Sequence, residues 1–131
     1  MKTSKGEFET ARLVDAAKPD QDVLAVLLFG SHARGEEGET SDLDICLVLQ
    51  SGHCSDLELS QKRVEYLQPF DLDVQVFQQL PLYIRKRVFK EGVVLFCRDE
   101  ETLYEMAFQT AQQFEDFRHI YSAYLEEVAR G

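Results

Sequence analysis

The chain is poor in several residue types, and each shortage narrows what it can be. There is no tryptophan, and only three cysteines, three prolines and seven glycines stand among 131 residues. Cys46, Cys54 and Cys97 are an odd number without paired spacing, which argues against a disulfide framework or a zinc site. Cys46 lies in an apolar run and reads as a small core residue; Cys54 follows His53 in a polar loop and is assigned no metal. Basic residues are scarce, 14 against 24 acidic ones, for a formal charge of −10. Broad binding of DNA or RNA relies on Lys and Arg neutralising phosphates, so that class is excluded. An acidic surface suits docking on a basic protein, and equally suits simple solubility. No apolar run reaches bilayer length, and residues 1–7 have no apolar core of a signal peptide behind them. The expected location is cytoplasmic, without a membrane. Neither an internal repeat nor a low-complexity linker interrupts the chain. Residues 1–131 therefore read as a single domain, and the 44% apolar content suffices for one ordinary core.

The chemistry is concentrated between two apolar runs, residues 23–29 and 43–49. Gly30-Ser31 follows the first run, and Asp42-Leu43-Asp44 opens the second after a gap of ten residues. Glycine lets the backbone turn sharply and approach phosphate oxygens without a Cβ clash. Backbone N–H groups and the Ser31 hydroxyl can then donate to those oxygens. Asp42 and Asp44 are two apart, so on a strand both carboxylates point to one face. Such a pair suits hard cations, and two-metal sites hold ions roughly 3.5–4 Å apart. Asp44 is the one charge in an otherwise apolar strand, and a buried carboxylate is costly unless paired or metal-bound. A lone Gly-Ser turn or a lone Asp-x-Asp cap would mean little; their combination at these two strand ends points to a nucleotide phosphate and its divalent ions.

This segment resembles the G-S-x10-D-x-D signature of the DNA polymerase β-like nucleotidyltransferase superfamily. Leu28-Phe29-Gly30-Ser31-His32-Ala33-Arg34-Gly35 and Ser41-Asp42-Leu43-Asp44 are similar, more narrowly, to the MNT-type minimal nucleotidyltransferases. The resemblance implies an α/β nucleotidyltransferase fold: a small mixed sheet, helices packed mainly on one face, and a long C-terminal helix. It also implies AMP transfer from ATP to a tyrosine of a HEPN-family RNase toxin, the chain acting as its antitoxin in a hetero-oligomer. Mg²⁺ is the implied cofactor, as two ions, with Mn²⁺ equally able to use oxygen ligands. Gly30, Ser31 and Arg34 would hold the phosphates, and Asp42 and Asp44 the metal. Family members carry a third acid on a neighbouring strand, and Asp71 and Asp73 both qualify. The family pattern puts this acid within the strand, upstream of a Pro-Leu helix start, here Pro81-Leu82. That register favours Asp73 as third catalytic and metal-binding carboxylate and leaves Asp71 as a cap or spectator. Two rivals stay open: transfer to a small molecule such as an aminoglycoside, and a binding-only antitoxin that masks its partner.

The remaining pattern predicts helices over residues 7–17, 57–67 and 81–90, and strands over 72–77 and 93–97. The basic cluster Arg85, Lys86, Arg87 and Lys90 reads as a solvated helix face, and His32 and His119 are assigned no role. Residues 101–130 predict one long helix. Ala107, Phe114, Tyr121 and Val128 recur every seven residues, as do Leu103, Thr110, Phe117 and Tyr124. At 1.5 Å per residue such a helix is roughly 45 Å long, more than a small domain can cover. Its distal part is therefore expected to contact a partner subunit.

Overall fold

The computed structural model describes residues 5–30, 44–50, 52 and 55–130. The elements run α1 (Lys5–Ala17), β1 (Val23–Phe29), β2 (Asp44–Leu49), α2 (Asp56–Leu67), β3 (Asp73–Val76), a 3₁₀ turn (Phe77–Gln79), α3 (Leu82–Glu91), β4 (Val93–Cys97) and α4 (Glu100–Arg130). The strands form one mixed sheet in the order β3-β2-β1-β4. β1 pairs antiparallel with both β2 and β4, and β2 pairs parallel with β3. The α/β class, the mixed sheet and the long C-terminal helix agree with the sequence reading. Among the described residues no helix is long and apolar enough to cross a membrane.

β1 and β2 are the two central strands, which explains their unbroken apolar character: a strand covered on both faces has no side for polar residues. Their side chains alternate between two cores. Val23, Val26, Ile45, Leu47, Leu49, Val74 and Val76 pack with Leu13 and Ala17 of α1 and with Leu59 and Tyr66 of α2. Leu24, Leu27, Cys46 and Val48 pack with Phe77, Val88 of α3 and Leu103 of α4. Helices thus cover both faces of the sheet, where the sequence reading expected them mainly on one. That expectation came with the family resemblance; here α3 and the first turns of α4 close the second face. Cys46 is buried as expected, and burial pushes its thiol far above the usual range.

The third strand is shorter than its alternating pattern suggested. It stops at Val76 because Phe77 turns inward to meet Phe89 edge-on, with ring centroids 4.9 Å apart. Gln78 then takes the place of a strand neighbour. Its amide donates to the Leu49 carbonyl at 2.8 Å, and its carbonyl accepts from the Leu49 N–H at 3.2 Å. A side chain here finishes the ladder that the backbone abandons.

The turn between α1 and β1 is held by the residue that follows β4, which ends beside the start of β1. The Arg98 guanidinium donates to the carbonyls of Ala17, Lys18, Asp20 and Val23 at 2.8–3.2 Å. Hydrogen bonds from a charged donor contribute about 1.5–3 kcal/mol each before redundancy. Arg98→Met should therefore lower stability by about 3 kcal/mol, read as a shifted urea midpoint with an unchanged slope. Asp20 is gripped in the same turn by Tyr66 Oη at 2.8 Å and Lys62 Nζ at 3.0 Å. Burial alone would raise its carboxyl, but these bonds and the Asp22 amide outweigh burial and leave it below its ordinary value. Its contribution to stability is complete above the unfolded carboxylate range. It is lost as pH falls through the depressed folded value.

Candidate functional site

The site is built where three strand ends meet. β1 delivers Phe29 to one edge, and the chain turns at once through Gly30 with φ of +86°. That conformation is open to glycine and costly for residues with a Cβ. Space demands glycine here as well. A Cβ on Gly30 would overlap Asp44 Oδ2 and lie 3.1 Å from Asp44 Cγ. The bare glycine backbone is what lets the Asp44 carboxylate sit against the end of β1.

Register does the rest. Phe29 stands opposite Asp44 in the antiparallel pair, and Asp44 stands opposite Asp73 in the parallel pair. Asp44 and Asp73 are the first residues of β2 and β3, on strands about 4.8 Å apart. Ile45 and Val74, the next residues, both enter the core under α1 and α2. Side chains alternate along a strand, so both carboxylates face the opposite side, the side that α3 and α4 cover. Neither is fully buried; both are half-exposed at the sheet's edge.

Gln75 joins them from one pleat further along β3, its Nε2 donating to Asp73 Oδ1 at 3.1 Å. Sequence reasoning missed this residue. Its signal was present: in Asp73-Val74-Gln75-Val76 the polar residues alternate strictly with the apolar ones, so Gln75 had to share the face of Asp73. The bond engages one oxygen of Asp73 and so fixes its carboxylate on the face it shares with Gln75. Gln75→Leu, similar in volume, should weaken Mn²⁺ binding several-fold by titration while changing the melting temperature little.

The competing acid is placed elsewhere. Asp71 precedes β3, is exposed, and its N–H donates to Glu9 Oε2 of α1 at 3.3 Å. Glu9 also holds Arg12 at 2.9 Å. Asp71 therefore belongs to the joint between α1 and the β3 loop. Ser31, Arg34 and Asp42 lie outside the described residues, as do His32, His53 and Cys54. Among the described residues no three His, Cys, Asp or Glu side chains gather into one cluster; the pair Asp44 and Asp73 is what the strands bring together.

The basic residues of α3 are largely engaged within the fold. Arg85 lies over the Phe77 ring at 6.0 Å, with its Nε buried and without a hydrogen-bond partner. Lys86 caps the Phe114 ring at 3.9 Å, tying α3 to α4, and Arg87 pairs with Glu91 at 3.6 Å.

Two carboxylates side by side, next to a glycine turn without Cβ, can accept hard cations on one side and leave room for phosphate on the other. Comparison with known proteins agrees with that chemistry. A protein of Methanocaldococcus jannaschii, named by inference as a protein adenylyltransferase, is 35% identical over 74 residues. The match spans 56% of this chain and 56% of that protein's length. Among solved structures, a chain of a toxin–antitoxin complex with AMP-PNP superposes with a TM-score of 0.66 at 17% identity, covering 92% of this chain and 96% of that one. A chain from the Shewanella oneidensis complex of a tri-AMPylated HEPN toxin with an MNT antitoxin gives 0.62 at 16% identity, covering 94% and 95%. At such identities these structures establish a shared fold. Residues 12–101 match the model of the polymerase beta nucleotidyltransferase domain. The chain belongs to the polymerase beta nucleotidyltransferase family.

Proposed function

We propose that this protein transfers AMP from ATP to a hydroxyl of a protein partner, a tyrosine of a HEPN-family toxin, and thereby acts as its antitoxin. The observation that carries this reading is the register that sets Asp44 beside Asp73 at the glycine turn ending β1. The adenylyltransferase name of the archaeal relative and the HEPN toxin in the Shewanella complex supply the acceptor class.

The residues present fit divalent ions. Both donors are carboxylates, the hard oxygen ligands that Mg²⁺ takes together with phosphate and water. Asp44, Asp73 and Asp42 would hold the ions, with Mn²⁺ an acceptable substitute for Mg²⁺. Bound there, the ions supply Lewis-acid neutralisation of charge on the reacting phosphate and the departing pyrophosphate. Gly30 and Ser31 hold the β and γ phosphates and Arg34 adds positive charge beside them. Asp73 faces the acceptor hydroxyl and takes its proton. The acceptor oxygen then bonds to the α-phosphorus as the bond to pyrophosphate breaks. Positioning and charge account for most of the acceleration.

The exposed apolar residues of distal α4 favour a second reading, in which the chain silences its partner by masking alone. One experiment separates the two. Incubation with ATP, Mg²⁺ and the HEPN-domain protein should add adenylyl mass to a tyrosine peptide of that protein. Neutralisation of the toxin without any mass gain would refute transfer and leave masking. The cytoplasm, which supplies ATP and keeps thiols such as Cys46 and Cys97 reduced, is the setting this reading requires.

A further inference from the structure

α4 changes character along its length. Leu103 and Thr110 are buried, and Ala107 and Phe114 are half-buried. These four positions step along the helix by four, three and four residues, the seam of a helix packed on a neighbour. Phe117, Tyr121, Tyr124 and Val128 continue that step without a break. Yet every described side chain between positions 115 and 129 is exposed. Phe117 is 54% exposed, Ile120 71%, Tyr124 61%, Leu125 47% and Val128 59%. The seam that begins against this chain's own core therefore runs on at the surface, where Ile120, Tyr124, Leu125 and Val128 are open to solvent. A lone helix of this length is marginal in water, and a contiguous apolar patch of this kind marks an interaction site.

We infer that the distal face of α4, from Phe117 to Val128, is the docking surface for the acceptor protein, which it takes into an apolar helical groove with a basic rim. The inference rests on the function proposed above and adds to it where the acceptor is held. Two observations select this occupant. First, the buried part of α4 packs on the sheet face that also carries Asp44 and Asp73, through Leu103 beside Cys46 and Val48. A protein gripped by the continuation of that seam lies on the carboxylate side of the sheet. Second, the charge is one-sided. Glu115, Asp116, Glu126 and Glu127 flank the segment against Arg118 and Arg130, in a chain of net charge −10. Two copies meeting there would bring like charges together, whereas a basic rim complements them. Covering the five exposed side chains removes on the order of 500 Å² of apolar surface. With a polar rim this approaches the roughly 800 Å² per partner of a standard interface.

The test uses the full chain and the purified HEPN-domain protein of the same genome. Ile120→Glu and Tyr124→Ser, both at exposed positions, should each raise the dissociation constant at least ~30-fold by calorimetry. Helicity by circular dichroism and the thermal shift produced by ATP with Mg²⁺ should stay at wild-type values. Tyr104→Ser and Phe108→Ser, also exposed on α4 but off the seam, should leave the affinity unchanged. An Ile120 or Tyr124 variant that binds like wild type, Tyr104 and Phe108 variants that weaken binding equally, or a wild-type chain that does not bind at all would each overturn the inference. So would a wild-type dimer, seen in solution, that Ile120→Glu splits, since it assigns the face to a second copy. Wild-type chain that docks through this face yet transfers no AMP would sink the proposed reaction and leave the docking surface standing.

Discussion

Asp44→Asn should lower AMP transfer on the order of 10³-fold or more, the scale seen when a preorganised charge-stabilising group is removed, with the fold left intact. The substitution keeps the size and shape of the side chain and exchanges one oxygen for an amide. What it removes is the negative charge at the point where β1, β2 and β3 converge. Asp44 touches the Gly30 turn on one side and stands in register with Asp73 on the other. Asp73, the carboxylate in register with it, already holds its own place at that junction. The melting temperature should stay within a few degrees, because the surrounding core of Ile45, Leu47 and Val74 is unchanged. The check is incorporation of labelled AMP into the acceptor, alongside a thermal melt. Transfer at the wild-type rate would remove Asp44 from the chemistry.

Gly30→Ala should be the second most damaging change, for a reason that a matched control can isolate. Among the described residues two glycines, Gly30 at φ +86° and Gly52 at φ +109°, lie in the left-handed range. Alanine at either position pays the backbone cost, roughly 1–2 kcal/mol. Only at Gly30 does the new methyl group also meet a side chain, the Asp44 carboxylate; around Gly52 there is nothing within 4 Å. Gly52→Ala should thus lose stability and keep activity. Gly30→Ala should lose comparable stability and also at least ~100-fold in transfer, since displacement of a reacting group by about 1 Å costs that much. Equal activity in the two variants, at equal stability, would mean that the Gly30–Asp44 contact has no catalytic consequence.

Much of the fold could be read before the structure. The strand at 23–29 and that at 93–97 were bounded correctly, since each is an apolar run set off by a neighbouring glycine, Gly30 after the first and Gly92 before the second. The proline at position 81 marked the start of α3, and the heptad rows marked α4. The errors had a common origin. Periodicity tells which residues share a face, but it does not tell what covers that face. Hence the split of the helices between the two faces was not legible from it, and β3 was extended through Phe77, which the core recruits instead. Gln78 finishing the ladder at Leu49 depends on two segments far apart in the chain, and no local pattern announces it.

The candidate site divides along the same line. Residue type and spacing alone determined that a glycine turn ends one apolar strand and that Asp44 opens the next, because those constraints are local: a Cβ-free corner and the cost of a charge in an apolar run. Spacing also put Asp71 and Asp73 on one face without separating them. Tertiary structure decided between their surroundings, since parallel pairing of β2 with β3 puts Asp73 opposite Asp44 while Glu9 of α1 holds the Asp71 backbone away. It decided the role of Gln75 and the exposure of distal α4 too. Those outcomes depend on which strands become neighbours and where the core ends, and these are properties of the packed chain as a whole.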